Sequence, residues 1–497
     1  MDSIRELVKL LSNNDNKLFR QFLRQKNKRA DVKNLQLLKL IETDDINGLN
    51  NLYKSQKNDD AYHALRKRLQ DNLLLFLSQK AFENNHSDTY DALRMVVVGR
   101  FLLENDVVKI GLKCLNRAER VAGNLEQFNL LNEILLLKLQ YAHLAGAELL
   151  EELTIRFQEN QLNMQREAKL QIAYAFLRQQ LQNIHLKGHI VNLTALIIET
   201  LRKYKISVQD LMTYKSIYQI LFIANEYAAI QRNYGLVERY IKRTDAFIQS
   251  QENKTGAYLY YHISILYFLA NFHFRIKKFN ESASYLKQMM DLMQTDSTYY
   301  ASFYLSQSLL TALNLFFTGS SEDAIILLKE LLLNKKYKHK PEDVEDVRIC
   351  LAMFLALCDK PASLKQLTYL NRTNSWYEKR MGMLWTIRKN LMEILIHAQF
   401  SNIELAMSRV TSFRRRYKKY LLKTSEERVL SFLKLVEKYL LKPDVILEVA
   451  YKKAVLNLLD EGENDDIFTL GFIAWLIARW EKKTSYEVIL ATLNKQL

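Results

Sequence analysis

Histidine and cysteine are the residue types in this chain best suited to metal binding or nucleophilic chemistry. His185 and His189 lie about one helical turn apart, but no glutamate follows the first as in a zinc hydrolase helix, and Gly188 weakens a helix there. Cys350 and Cys358 lie in an apolar segment, where burial would leave a thiol inert. We therefore predict no metal site and no reactive cysteine.

Loops and carboxylates that could bind or process a substrate are equally sparse. Neither GxGxxG nor GxxxxGK[ST] occurs and the glycines are scattered singly, so no backbone cradle for a nucleotide is expected. Adjacent acids such as Glu151 with Glu152 and Asp465 with Asp466 suit helix starts or loops, where carboxylates stay solvated. The prediction is a protein without catalytic residues or a cofactor, and hence not an enzyme.

Positive charge is the distinctive feature of the composition. The chain has 71 Lys and Arg against 55 Asp and Glu, a net charge of +16, and the excess is concentrated in short runs. Such a field attracts an anionic partner, for example RNA, DNA, the ribosome or an acidic protein surface, although a solvated basic face on a packed helix is the alternative. The candidate anionic-partner surface consists of Arg414, Arg415, Arg416, Lys418, Lys419, Lys423, Lys335, Lys336 and Lys338.

The run from Arg414 to Lys423 has the spacing of an amphipathic helix. One helical face would hold Phe413, Tyr417, Tyr420 and Leu421. Arg415, Lys418 and Lys419 would point away from it. We predict that the apolar face packs inward and that the cations form a ridge in water.

The elements that carry these residues are predicted to be helices. Glycine and proline number only 12 and 3 among 497 residues, too few for the turns of a β fold. Apolar residues recur at three- and four-residue intervals, as at Tyr62, Leu65, Leu69, Leu73 and Phe76. Capping-box patterns predict helix starts at Ser3 with Glu6, Thr424 with Glu427 and Thr484 with Glu487.

A helix-turn-helix phrase recurs along the chain with a period near forty residues. It is clearest where Tyr267, Ala270 and Phe274 precede a turn and Phe279 and Ala283 follow it. Such a period with drifting length predicts stacked helical pairs. The small residue early in each second helix is predicted at Ala283, Ala324, Ala362 and Ala406, at intervals of 41, 38 and 44 residues.

This phrase resembles a degenerate form of the tetratricopeptide-type repeat, which also places an aromatic and small residues in its first helix and an alanine early in its second. The resemblance extends over about residues 90–460, with Asn271 and Lys287 in place of the usual small and large apolar residues. It implies a right-handed α-solenoid of antiparallel helix pairs, whose groove holds a peptide or helix of another protein.

The first eighty residues carry a different pattern. Leu7, Leu10 and Leu11, followed by Phe19 and Phe22, are similar to the opening of long helical-repeat proteins abundant in Bacteroidota. That resemblance implies a cytoplasmic bacterial protein and no particular activity. The predicted domains are an N-terminal helical bundle at 1–88, TPR-like repeats at 89–460 and C-terminal capping helices at 461–497.

Location and function complete the expectations. Residues 1–6 show no export signal, the strongly apolar run at 467–478 is shorter than the roughly twenty residues of a membrane span, and three cysteines without CxxC spacing suit a reducing cytoplasm. We predict that this run is a buried helix. The leading functional hypothesis is a non-catalytic protein-binding scaffold or adaptor, and the alternative is a basic nucleic-acid- or ribosome-associated factor.

Overall fold

The structure is a computed structural model that describes residues 4, 7–8, 11, 13–26, 33–43, 59–84, 88–187, 193–207, 209–211, 213–231, 238–250, 258–295, 297–334, 341–424, 426–458 and 467–496. Every regular element among these residues is a helix, which confirms the all-α prediction. The chain divides into two units, residues 1–164 and 165–497, and the division falls inside one long helix. The repeat boundaries predicted near 88 and 460 remain predictions.

Unit 1 contains two hydrophobic cores. Its described helices are α1 Asn13–Lys26, α2 Lys33–Glu42, α3 Asp59–Asn84, α4 Asp88–Glu104, α5 Val108–Asn124, α6 Phe128–Gln140 and the first part of α7 Leu150–Lys187. The first core lies among α1, α2 and α3 and includes the fully buried Phe19, Leu37 and Leu69. The second lies among α4, α5 and α6 around Leu115 and Ile134.

Unit 2 contains the rest of α7 and the remaining helices. These are α8 Leu193–Lys203, α9 Tyr214–Gln231, α10 Glu238–Ser250, α11 Leu259–Arg275, α12 Phe279–Met293, α13 Ser297–Phe317, α14 Ser321–Leu333, α15 Pro341–Leu357, α16 Ala362–Tyr369, α17 Asn374–Arg380, α18 Met383–Gln399, α19 Ile403–Lys423, α20 Glu427–Leu441, α21 Val449–Leu456, α22 Ile467–Glu481 and α23 Ser485–Gln496. None of the described helices combines the length and apolarity needed to cross a membrane.

The helices of unit 2 pack in the order in which they follow one another in the chain. From α11 to α16, and again from α18 to α20, each helix contacts the next. A second series of contacts joins α9 to α11, α11 to α13, α13 to α15 and α15 to α18. These five helices therefore form a row of neighbours, which we call the alternate row.

The turns that follow α11, α13, α15 and α18 share one backbone conformation. Lys277, Gly319, Asp359 and Ser401 have φ between 55° and 110° and lie at intervals of 42, 40 and 42 residues. In each turn the amide of the next residue donates to the carbonyl five residues earlier, at 2.8 or 2.9 Å. This hydrogen bond after a left-handed residue is the Schellman arrangement, which satisfies carbonyls that the ending helix leaves open.

A small buried residue follows each of these turns. It is the fourth residue of α12, α14 and α19, namely Ser282, Ala324 and Ala406, and the second residue of the short α16, Ser363. Ala283 and Ala362 lie early in α12 and α16, as predicted, but both are exposed and the buried small residue is the adjacent serine. The Ser282 hydroxyl donates to the carbonyl of Ala270 at 2.8 Å, so a serine can occupy this site as readily as an alanine.

Helix α22 packs against the C-terminal ends of α11 and α13 and along α18. The Phe468 ring is 6.2 Å from the Phe274 ring near the end of α11 and 6.4 Å from that of Phe317, the last residue of α13. Trp475 Nε1 donates to Gln399 Oε1, at the end of α18, at 3.1 Å. The apolar residues of α22 are nearly all buried, which confirms the prediction of a buried helix for this run.

Substitutions at the left-handed turn residues should change stability in opposite directions. Gly319→Ala should lower the free energy of unfolding by about 1–2 kcal/mol, because φ of 110° is strained for a residue with a Cβ. The loss is conformational, since a Cβ there would meet no atom within 4 Å. Ser401→Gly should raise stability by up to about 1 kcal/mol for the same reason. Urea unfolding followed by circular dichroism measures both, and equal signs would contradict the assignment of the turns.

Candidate binding groove and basic ridge

Helix α19 carries the six described cations of the predicted anionic-partner surface. Phe413, Tyr417 and Leu421 are 3%, 2% and 0% exposed, whereas Arg415 and Lys419 are exposed to solvent. The predicted orientation of this helix is therefore confirmed. Lys335, Lys336 and Lys338 lie outside the described residues, so this part of the predicted surface stays a prediction.

Ion pairs divide the cations of α19 into two groups. Arg414 binds Glu437 of α20 through both terminal nitrogens, at 3.0 and 2.5 Å. Arg416 Nε lies 2.6 Å from the Glu378 carboxylate of α17. Arg415, Lys418, Lys419 and Lys423 are exposed and have no ion pair with any described residue, and we call these four the basic ridge.

Aromatic side chains form a continuous patch on α9, α11 and α13, toward the N-terminal ends of these alternate-row helices. The Tyr218 ring of α9 is 5.5 Å from Tyr261 and 6.2 Å from Tyr260, both on α11. The Tyr260 ring is 5.2 Å from Phe303 on α13. Tyr260 is 42% exposed and the other three rings are partly exposed. We call these residues, with Phe268, the aromatic face.

A cavity of about 220 Å³ opens farther along the same helices. It is lined by α11, α13, α15 and α18 and is bounded on one side by Phe468 and Phe472 of α22. Much of its wall is apolar, including Leu309, Leu313 and Met353. We call this cavity the groove pocket.

Two arginines line the groove pocket beside Phe468. The guanidinium carbon of Arg275, on α11, is 4.5 Å from the centre of the Phe468 ring, and that of Arg388, on α18, is 5.9 Å from it. A guanidinium near the face of an aromatic ring is attracted by its electron density. The Phe468 ring thus lies close to two positive groups in the wall of an apolar cavity.

Asp346 of α15 lies in the same pocket and contacts α18. Its Oδ1 accepts a hydrogen bond from Trp385 Nε1 at 2.7 Å. Burial raises the pKa of Asp346 to about 7, the neighbouring acids Asp343 and Glu345 act in the same direction, and the Trp385 hydrogen bond opposes them. The carboxyl therefore changes its protonation state near neutral pH.

The described thiol in the groove pocket lies in a buried setting that keeps it protonated. Cys350 is partly buried in the groove pocket, where burial first and the Asp346 charge second raise the pKa of its thiol, so the thiol stays protonated at neutral pH. No cluster of three metal-ligating side chains occurs within the described ranges, and His189 lies outside them.

The groove pocket was not predicted from the sequence. Tyr267, Asn271 and Arg275 follow one another at four-residue intervals and line it from α11, just as Trp385, Arg388 and Met392 do from α18 at intervals of three and four. Polar residues at these intervals on an otherwise apolar helix face were the sequence feature that could have indicated a site. This feature could not reveal that the two sets of residues meet, because Phe468 lies almost two hundred residues from Arg275 in the chain.

Comparison with known proteins yields no family assignment. No protein-family model matches the chain, and no curated protein is significantly similar to it in sequence.

Replacing Asp346 should change the pH dependence of stability. Its folded pKa of about 7 lies above the unfolded value of about 3.9, so its contribution is fully present below about pH 4 and is lost as the pH rises through about 7. Asp346→Asn keeps an acceptor for Trp385 but cannot ionise. We expect the wild type to lose stability relative to this variant between about pH 5 and pH 8, by at most about 1.4 kcal/mol per pH unit. Urea titrations of both proteins measure the difference, and parallel pH profiles would contradict it.

Proposed function

We propose that the chain is a non-catalytic adaptor, a TPR-like α-solenoid of antiparallel helix pairs that binds a peptide or helix of another protein. Support for the solenoid comes from the packing order of unit 2, in which each helix from α11 to α16 contacts the next. Further support comes from the left-handed turn that recurs three times at 40 or 42 residues. Three free thiols suit the cytoplasm, where we place the protein.

The aromatic face is the observation that carries the binding role. Protein-binding surfaces are enriched in tyrosine, phenylalanine and arginine, and a few such residues supply most of the binding free energy. Tyr218, Tyr260 and Phe303 offer this chemistry from three helices of the alternate row, with ring centres 5.2–6.2 Å apart. Helix α22 contacts the C-terminal ends of α11 and α13, whereas the aromatic face lies toward the N-terminal ends of α9, α11 and α13 and is partly exposed.

A photocrosslinking amino acid in place of Tyr260 tests the adaptor role. In an extract of the cells that produce the protein, we expect a discrete protein adduct at this position. A matched probe at Tyr369, which is 45% exposed on α16, should give none. Phe303→Ala should remove the adduct, because loss of a central aromatic contact commonly costs at least about 2 kcal/mol of binding.

If Phe303→Ala has the circular dichroism spectrum of the wild type, the loss of the adduct reflects the lost aromatic contact and not unfolding. Adducts of equal yield at positions 260 and 369 would contradict the proposal, as would an adduct at 260 that survives Phe303→Ala.

The basic ridge supports a second candidate function, a nucleic-acid- or ribosome-associated factor. Arg415 and Lys419 lie one turn apart on the outer side of α19, and Lys423 follows one turn later. Neighbouring Arg414 and Arg416 are neutralised by Glu437 and Glu378, so the ridge is the part of this run whose charge is open to phosphates.

Charge reversal on the ridge should remove nucleic-acid binding. Arg415→Glu with Lys418→Glu and Lys419→Glu should abolish the mobility shift of single-stranded RNA at low salt. Each lost phosphate contact should flatten the slope of log affinity against log salt by about 0.7. Stability should change little, because exposed substitutions usually shift it by at most about 0.5 kcal/mol each.

The same charge change on another exposed helix face provides the control. Lys109, Lys113 and Arg117 lie one turn apart on α5 and are exposed. Their replacement by glutamate should leave RNA binding intact. If both triple variants weaken binding equally, net charge rather than the ridge is responsible, and absence of any shift for the wild type would rule out the second candidate.

A further inference from the structure

The groove pocket combines features of a small-molecule site that the adaptor role does not use. Its wall is largely apolar, with Leu313 and Met353 among the contributors, and the guanidiniums of Arg275 and Arg388 lie at one end beside Phe468. Concave apolar cavities with a few converging polar groups are the usual form of ligand sites. An arginine carries five N–H donors in a planar fork, so each can bind a ligand anion in addition to a protein group.

We propose that the groove pocket binds a small organic carboxylate whose apolar body is about the size of one aromatic ring. Its carboxylate would accept hydrogen bonds from Arg275 and Arg388, and its body would lie against Leu313 and Met353. This inference is independent of the aromatic face and of the adaptor role.

The size of the pocket favours a small molecule over a polypeptide. A dry cavity of about 150 Å³ is known to hold benzene, and the groove pocket has about 220 Å³, which leaves room for a carboxyl group beside a ring. Helix α22 closes one side with Phe468 and Phe472, so a chain could not run past this point along the alternate row. A ligand bound here would contact four helices of the row and α22 at once.

The charges around Asp346 give this site an expected pH dependence. Besides burial, Asp343 and Glu345, on the same helix, raise the pKa of Asp346. The pocket also contains Tyr267 and Arg275 of α11 and Trp385 and Arg388 of α18. When Asp346 ionises, near pH 7, a negative charge appears in the pocket and opposes a bound carboxylate. Binding should therefore weaken as the pH rises from about 6 to about 8.

Binding of 3-phenylpropionate to the full chain, measured by calorimetry and ligand-observed NMR, tests the proposal. The neutral 3-phenylpropanamide has nearly the same shape and serves as the matched ligand. We expect the acid to bind saturably and at least about tenfold more tightly than the amide, because hydrogen bonds to charged groups are among the stronger ones. This comparison needs no variant, so it stays decisive if a pocket substitution impairs folding.

Four variants locate the site. Arg275→Gln and Arg388→Gln should each weaken the acid by about tenfold and leave the amide unchanged, whereas Arg415→Gln on the basic ridge should have no effect. Asp346→Asn should remove the pH dependence between about pH 6 and pH 8. Circular dichroism of each variant checks its fold.

Three results would overturn the proposal. These are absence of saturable binding at millimolar concentrations, equal affinity for acid and amide, or equal weakening by Arg415→Gln and the two pocket substitutions. None of them depends on whether a protein partner crosslinks at Tyr260.

Discussion

The left-handed turn residue is the constraint on which the packing of residues 259–423 depends. A single residue with positive φ follows the end of one helix, and only three or four residues separate that helix from the next, so the next helix must start close beside the last. Because the two helices approach closely, the side chain near the start of the second helix must be small, as Ser282, Ala324 and Ala406 are. Only Gly319 is a glycine, so three of these four turns accept the strain of a side chain at positive φ. Packing in the pairs stabilises a conformation that the residue alone disfavours.

The buried side chains of α22 belong to the same hydrophobic core as those of the alternate row. The α22 residues share a single cluster with those of α9 to α15 and α18 to α20, and Tyr486 of α23 adds a hydrogen bond to the carbonyl of Phe316 at 2.9 Å. Because α22 approaches α15 at Gly471, where a Cβ would lie 3.8 Å from Leu357, its backbone comes near the row. Helix α22 therefore covers the C-terminal ends of α11 and α13 and forms one wall of the groove pocket with Phe468 and Phe472.

The sequence was most informative where structure depends on nearby residues. The Thr484 capping box is confirmed, since the Thr484 amide and the Glu487 carboxylate bond at 2.7 Å and the reciprocal bond is 3.1 Å. The Thr424 box is wrong, because the Thr424 hydroxyl instead donates to the carbonyl of Tyr420 and α20 begins after Glu426. The Ser3 box lies outside the described residues. The Thr424 hydroxyl could bond either to the end of α19 or to the start of α20, and it bonds to the end of α19.

Contacts between distant residues were not predictable from spacing. The face of α19 followed from its periodicity, but the acids that neutralise Arg414 and Arg416 come from α20 and α17 and leave no mark on the pattern of α19 itself. The groove pocket likewise depends on where α22 packs. Its residues have the spacing of ordinary helix faces, and only the assembled row brings Arg275, Arg388 and Phe468 together.

A buried polar layer links the shape of the pocket to the charge of the ridge. Tyr377 of the seven-residue α17 is fully buried and donates to Glu345 at 3.0 Å, and its ring stacks on Trp385 with 5.0 Å between centres. A buried carboxylate such as that of Glu345 is destabilising unless hydrogen-bond donors compensate it. The bond from Tyr377 to Glu345 meets this need and also holds α17 in place, a helix too short to be stable alone. The next residue, Glu378, accepts from Tyr417 and pairs with Arg416. The same short helix therefore contacts the tryptophan that bonds to Asp346 and neutralises Arg416, one of the six cations of α19.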